Sequence, residues 1–286
     1  MPHVRILFLI FTSILLGVSV TSPTTSATSS DLKVEEIITR HLASIGPPEA
    51  RLAARSRLAI GKAQMTIRSR GTSEAGGNAV LASQANKSMI TMKFGVPDYP
   101  YEKVGFDGEL VTAYAIRPGV YSTLGGFVKT YPSILKEGLL GGVLSSGWPL
   151  LDLSTRKVKL EYAATKKINS RPVVEVRYLP RGGSDLSISL FFDAESFQHV
   201  RTVYKKTVGA QMGPSVDQSA SQSESRYELI EDFSDFRTEN GLNLPHTYEM
   251  HYRYLAAESR YYDWVITLQS FYFDQPIDNK DFNVAN

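Results

Sequence analysis

Apolar and polar positions follow two different periods along this chain, and the change comes near Leu58. Upstream, Val34, Ile37, Ile38, Leu42 and Ile45 recur at helical spacing on one face, which predicts a helix opening at Asp31 with Ser30 or Asp31 as its cap. Gly46, Pro47 and Pro48 end it, since glycine accepts the backbone of a helix stop and proline cannot extend the ladder. A second, shorter helix is predicted over Glu49 to Arg57.

Downstream the period becomes two, the spacing of strands with one buried face. Strands are predicted at Ala59 to Arg70, Ala79 to Ser83, Lys87 to Phe94, Tyr101 to Asp107 and Leu110 to Arg117. They resume at Lys157 to Thr165, Arg171 to Leu179, Ser184 to Asp193, Gln198 to Val208, Tyr227 to Glu239, Asn243 to Leu255 and Tyr261 to Phe273. About eleven or twelve successive strands without regular helix alternation predict a mostly β (α+β) chain built on a large antiparallel sheet or barrel. Asp107-Gly108 and Asn240-Gly241 are two-residue hairpin signals. The cleanest alternation puts Leu244, His246, Tyr248, Met250, Tyr252 and Tyr254 on an apolar, tyrosine-rich face, and Thr247, Glu249, His251 and Arg253 on a solvated one.

Two segments break the pattern. Gly125 to Leu153 is apolar and glycine-rich, with short helical pieces predicted through Leu135, Leu139, Leu140, Val143 and Leu144. Gly138, Gly141, Gly142, Gly147 and Pro149 interrupt it, so it reads as a pliable surface element. Gly209 to Ser225 is Ser/Gln-rich and reads as a surface loop between neighbouring strands.

The first residues carry a separate signal. A basic start (His3, Arg5) precedes an apolar run from Ile6 to Leu16 that passes into Thr/Ser, the layout of a secretory signal peptide cleaved near Ser22 or after Ala27. The run is shorter than the ~20 apolar residues that span a bilayer, although an uncleaved anchor is the alternative. Residues 1–27 are therefore expected to be a leader and 28–286 a single periplasmic domain, with Ser22 to Ser30 too poor in apolar surface to order.

Composition removes several chemistries. With no cysteine there is no disulfide framework, thiolate metal site, cysteine nucleophile or lipid-modified cysteine. A net charge of +2 from dispersed residues lacks the basic stripe of a nucleic-acid binder. His246, Glu249 and His251 cluster, but strand parity leaves only Glu249 and His251 on one side, one ligand short of a zinc site. Glu228, Glu231, Asp232 and Asp235 share a strand with Phe233 and Phe236 and read as its solvated face. Asp107 and Asp193 fall in turns, where a short carboxylate caps backbone amides. The pairs Gly76-Gly77, Gly125-Gly126, Gly141-Gly142 and Gly182-Gly183 read as turns or hinges, because none opens a helix in the manner of a phosphate loop. No hydrolase elbow, P-loop, zinc-binding helix or dinucleotide fingerprint occurs, so no enzymatic activity, metal or cofactor is expected. Aromatics crowd the C-terminal strands (Tyr248, Tyr252, Tyr254, Tyr261, Tyr262, Trp264, Phe271, Tyr272, Phe273), either as plain core or as the lining of a concave face suited to an amphiphile.

Several short stretches then form a familiar order: Glu35-Glu36-Ile37-Ile38 with Arg40-His41 and Ser44-Ile45-Gly46, then Gly105-Phe106-Asp107-Gly108-Glu109. Asn169-Ser170-Arg171-Pro172-Val173-Val174-Glu175-Val176, Leu190-Phe191-Phe192-Asp193 and Gly241-Leu242-Asn243-Leu244-Pro245-His246 follow. Together they resemble the periplasmic outer-membrane lipoprotein-sorting superfamily, the LolA-like proteins, which includes LolB-like receptors and RseB-like sensors. The resemblance spans the chain from Asp31 to Asp281-Phe282. It implies an unclosed antiparallel β half-barrel with an N-terminal helix and short lid helices over an apolar cavity. It also implies a non-catalytic carrier for lipoprotein acyl chains or lipids, or alternatively an envelope sensor that recognises a membrane-protein partner. Leu135 to Leu144 looks like the lid, and the expected cavity and lid residues are Phe127, Leu135, Leu139, Leu140, Val143, Leu144, Trp148, Tyr248, Met250 and Tyr252. Lacking cysteine, the chain departs from the anchored LolB kind.

Overall fold

The first strand of the chain pairs with the last, and that pairing organises the molecule. The computed structural model describes residues 33–209, 224–256 and 259–285. The expected leader, the Ser30/Asp31 cap and positions 210–223 of the Ser/Gln-rich loop lie outside the described residues.

Helix α1 (Val34–Ile45) buries Ile37, Ile38, His41 and Ile45, the apolar stripe its spacing predicts, and stops at Gly46. Helix α2 (Pro48–Ala53) has proline in its first turn, where no amide is needed. It ends earlier than expected, and β1 (Ser56–Arg68) begins at Ser56, so Arg57 is a strand residue with a buried side chain.

Strands β2 (Thr72–Gln84), β3 (Lys87–Phe94), β4 (Tyr101–Phe106) and β5 (Val111–Ala113) complete an antiparallel meander from β1. A small ribbon, β6 (Ala115–Arg117) with β7 (Val120–Tyr121), leads into the inserted segment. That segment carries helices α3 (Thr123–Thr130), α4 (Ser133–Lys136) and α5 (Leu153–Arg156), with 3-10 turns at Gly142–Leu144 and Pro149–Asp152. A second meander follows: β8 (Lys159–Ile168), β9 (Arg171–Leu179), β10 (Ser187–Asp193), β11 (His199–Val208), β12 (Ser225–Glu239), β13 (Leu242–Leu255) and β14 (Arg260–Phe273). Pairing of β1 with β14, from Arg57 opposite Phe273 to Arg68 opposite Tyr261, fuses both meanders into one sheet. The order is β5-β4-β3-β2-β1-β14-β13-β12-β11-β10-β9-β8, an unclosed antiparallel half-barrel whose edges are β5 and β8.

Local chemistry explains most of the turns and corrects three readings. Asn240 (φ 49°) and Gly241 (φ 77°) make the expected two-residue hairpin turn, both left-handed. At Asp107-Gly108 the connection is longer, Asp107 to Leu110, and the Asp107 carboxylate accepts the amides of Glu109 (2.9 Å) and Leu110 (2.8 Å). Asp193 does the same for Glu195 and Ser196. Gly76-Gly77 is no turn, since it lies inside β2, where a Cβ on Gly77 would sit 2.0 Å from the Lys93 carbonyl oxygen of β3. Gly125-Gly126 lies within α3.

The core lies between the sheet's inner face and the inserted segment. Trp148, Trp264, Tyr178, Tyr204, Tyr248 and Phe192 are its largest fully buried side chains, and aromatic rings of that size dominate the transfer energy of a β core.

Candidate functional site

Cross-strand register arranges the inner face of β11 to β14 in rows, because directly opposed residues of neighbouring strands share a face. The outermost row that crosses all four strands is Lys206, Tyr227, Tyr254 and Arg260. The next is Tyr204, Leu229, Tyr252 and Tyr262, and the next Thr202, Glu231, Met250 and Trp264. Helix α3 crosses above the first two rows. Between them lies a cavity of about 510 Å³, lined from the helix by Ser122, Thr123, Gly126, Phe127, Thr130 and Tyr131. Val208, Tyr227, Tyr252, Tyr254, Arg260 and Tyr262 line it from the sheet. The rings meet at angles: Phe127 to Tyr131 at 5.0 Å, Phe127 to Tyr252 at 5.6 Å, Tyr227 to Tyr254 at 4.9 Å. Burial raises the Tyr252 and Tyr227 phenols above the usual range, with neighbouring tyrosines adding to it, so both stay protonated donors.

Two buried carboxylates hold the inserted segment to opposite parts of the sheet. Glu231 on β12 accepts the Gly141 amide at 2.7 Å, the Tyr248 hydroxyl at 2.6 Å and the Tyr204 hydroxyl at 2.7 Å. Glu102 on β4 accepts the Tyr99 and Ser122 hydroxyls and the Leu124 amide at 3.1 Å, fixing the first turn of α3. Both are fully buried, and desolvation of the charged form pushes each carboxyl up to about 7 against the pull of these donors. This corrects the expectation of a solvated carboxylate face on β12. Glu231 alternates with Leu229 and Phe233, all pointing inward, whereas Glu228 and Asp232 are half-buried and Asp235 is exposed.

Arg57 anchors the same segment from β1. Its guanidinium donates to the Val143 carbonyl at 2.6 Å, while Nε and Nη2 are buried without a partner. Desolvation lowers it to about 10. Beneath the Gly142–Leu144 turn, the Trp148 indole N–H donates to His41 Nε2 at 3.0 Å and His41 Nδ1 donates to the Phe197 carbonyl at 3.1 Å. That pair of bonds fixes a neutral imidazole, which burial lowers to about 4. His199 stacks on Trp148 at 4.6 Å and is likewise lowered by burial and by His41.

Of the ten residues expected to form the cavity and lid, Phe127 and Tyr252 line this cavity. Leu135, Leu139, Leu140, Val143, Leu144, Trp148, Tyr248 and Met250 are buried in the closed core. Under the Leu140–Ser145 stretch only about 20 Å³ is open, room for roughly one water. Tyr131, Tyr227, Arg260, Glu102 and Arg57 were not singled out from sequence, Glu231 was read as solvated, and Tyr262 stood only among the crowded C-terminal aromatics. Strand parity carried the signal for Glu231, Tyr227 and Tyr262. On the outer face, His251 contacts Asp263 at 2.6 Å and lies 3.6 Å from Asp232 and 3.5 Å from Glu249, while Arg253, Arg68 and Arg201 supply compensating charge. Among the described residues no group of three or more His, Cys, Asp or Glu side chains is arranged to hold a metal ion.

The strand order defines an open antiparallel half-barrel with an inserted helical segment packed on its inner face. No protein-family model matches the chain, and no curated protein matches it in sequence. Among solved structures it is similar to a LolA superfamily protein from Nitrosomonas europaea, at 9% identity over 88% of this chain and 98% of that one, with a TM-score of 0.46. It is also similar to a chain of the MucA/MucB complex of Pseudomonas aeruginosa, at 11% identity over 84% and 100%, with a TM-score of 0.23. A third is the lipoprotein LppX of Mycobacterium tuberculosis, at 10% identity over 86% and 99%, with a TM-score of 0.23.

Proposed function

We propose that this chain is an exported, periplasmic, non-catalytic binding protein that shelters lipidated or amphiphilic cargo beneath α3. The observation that carries the reading is the cavity of about 510 Å³ walled by Phe127, Tyr131, Tyr252 and Tyr262 and fringed by phenol and hydroxyl groups. Its size falls within the ~300–1,000 Å³ of small-molecule sites, and its mixture of rings and a few polar atoms suits a molecule with an apolar body and a polar end. Burying an apolar chain gains ~0.8 kcal/mol per methylene, enough to compete with a membrane while leaving the cargo releasable. A holding role is also supported by how Glu102 and Glu231 are used, since their oxygens are committed to phenols, a serine hydroxyl and lid amides.

Native mass spectrometry of the protein from its own envelope tests this, paired with titration of the delipidated chain with an acylated fluorescent probe. A discrete bound mass, and probe binding that weakens in Tyr252→Trp, which narrows the cavity, are expected. Empty protein that also ignores the probe overturns the proposal.

A further inference from the structure

We infer that the cavity selects an anionic amphiphile, its carboxylate or phosphate head received by Tyr227, Tyr254 and Arg260 and its apolar body by the rings one row deeper. The inference rests on the binding reading above and names the chemistry of its ligand. Three observations carry it. First, Tyr227, Tyr254 and Arg260 are successive cross-strand partners on β12, β13 and β14, so two phenols and a cation share one row of the inner face, and all three line the cavity. Second, Arg260 lines the cavity, is exposed, and has no ion-pair partner among the described residues, and no carboxylate lines the cavity with it. Lys206, at the far end of the row and outside the cavity lining, pairs among the described residues with Asp185 at 3.3 Å. Third, the row beneath, Tyr204, Leu229, Tyr252 and Tyr262, offers rings and an aliphatic side chain to an apolar body, and in the next row, Thr202, Glu231, Met250 and Trp264, the carboxylate is already committed to Gly141, Tyr204 and Tyr248. A guanidinium with five donors and no acceptor, beside phenols that can donate, matches a carboxylate or phosphate and leaves an uncharged head without compensation for its own lost hydration.

Isothermal titration of the full chain with dodecanoate, dodecyl phosphate and dodecanol tests this. Either anion is expected to bind about tenfold or more tightly than the alcohol, the scale of a charge-assisted hydrogen bond at a partly exposed site. Arg260→Gln should bring the anions close to dodecanol, Arg260→Lys should retain part of the preference, and added salt should weaken the anions alone. Tighter binding of dodecyl phosphate than dodecanoate, or the reverse, supports the inference and separates a phosphoester source from a free acid. Dodecanol binding as tightly as both anions, or an unchanged preference in Arg260→Gln, overturns the head-group inference and leaves the carrier reading standing. Binding of none of the three overturns both.

Discussion

The Glu231 carboxylate accepts the backbone N–H of Gly141 at 2.7 Å, so one side chain of β12 holds the left-handed turn of the inserted segment in place. Its neighbours Tyr204 and Tyr248 point hydroxyls at the same group from β11 and β13. The tether is therefore ionisable, and its strength depends on pH.

The folded carboxyl is raised from 4.5 to about 7, chiefly by desolvation. A group raised on folding contributes stability that is complete below the unfolded value and is lost as pH climbs through the folded one. Relative to Glu231→Gln, the wild-type chain is expected to lose up to about 3 kcal/mol between pH 4.5 and 8, at about 1.4 kcal/mol per pH unit. Urea unfolding of both proteins across that range measures it, and parallel pH profiles would contradict the assignment. Glu102→Gln should behave similarly, because Glu102 is raised for the same reason.

His41 predicts the opposite limb. Its folded imidazole is lowered from 6.5 to about 4, so the unfolded chain binds a proton first and stability falls as pH drops from 6.5 toward 4. Relative to His41→Gln, wild type should weaken on acidification. NMR titration of the His41 ring in the folded protein should show no protonation at pH 6; a protonated ring there would refute the buried neutral tautomer.

Gly142 and Gly126 make a matched pair of alanine substitutions. At Gly142 (φ 50°) a Cβ would stand 2.8 Å from Phe233 Cζ and 2.9 Å from His199 Nδ1, within rigid packing. At Gly126, inside α3, nothing lies within 4 Å. Gly142→Ala should cost roughly 1–3 kcal/mol, whereas Gly126→Ala should be neutral or stabilising by up to about 1 kcal/mol. Thermal unfolding of the two variants distinguishes them by sign.

Arg57 holds the Val143 carbonyl at a cost in desolvation, with two of its nitrogens unpartnered. Arg57→Met should leave global stability unchanged or higher, since an apolar chain of similar length removes the buried charge. Amides from Gly141 to Ser145 should nevertheless exchange faster with deuterium, since a tie to their backbone is gone. Unchanged exchange would mean that packing alone holds the turn.

Periodicity made the sheet legible. Alternation along β13 put Tyr248 and Met250 inside and Glu249 and His251 outside, as the burial pattern has it. Glu231 was misread because a carboxylate was assigned to solvent by type, although Leu229 and Phe233 on either side placed it inward by parity. Of the cavity, only Phe127 and Tyr252 were legible, for a different reason. Hydrophobicity along Leu135 to Trp148 marks what is sealed, and those residues are sealed. A vacant space is bordered instead by half-exposed tyrosines at strand ends and by the cationic Arg260, whose shared row appears only once the register of four strands is known.

The segment that roofs the sheet leaves from beside one free edge, β5, and returns at the other, β8. It acts like a bowstring on a bent stave: its contour length and its fastenings set how far the stave can straighten. Deletions or insertions between Tyr131 and Leu153 would then alter the aperture of the whole half-barrel without touching a strand, making this stretch a natural dial for the width of the opening.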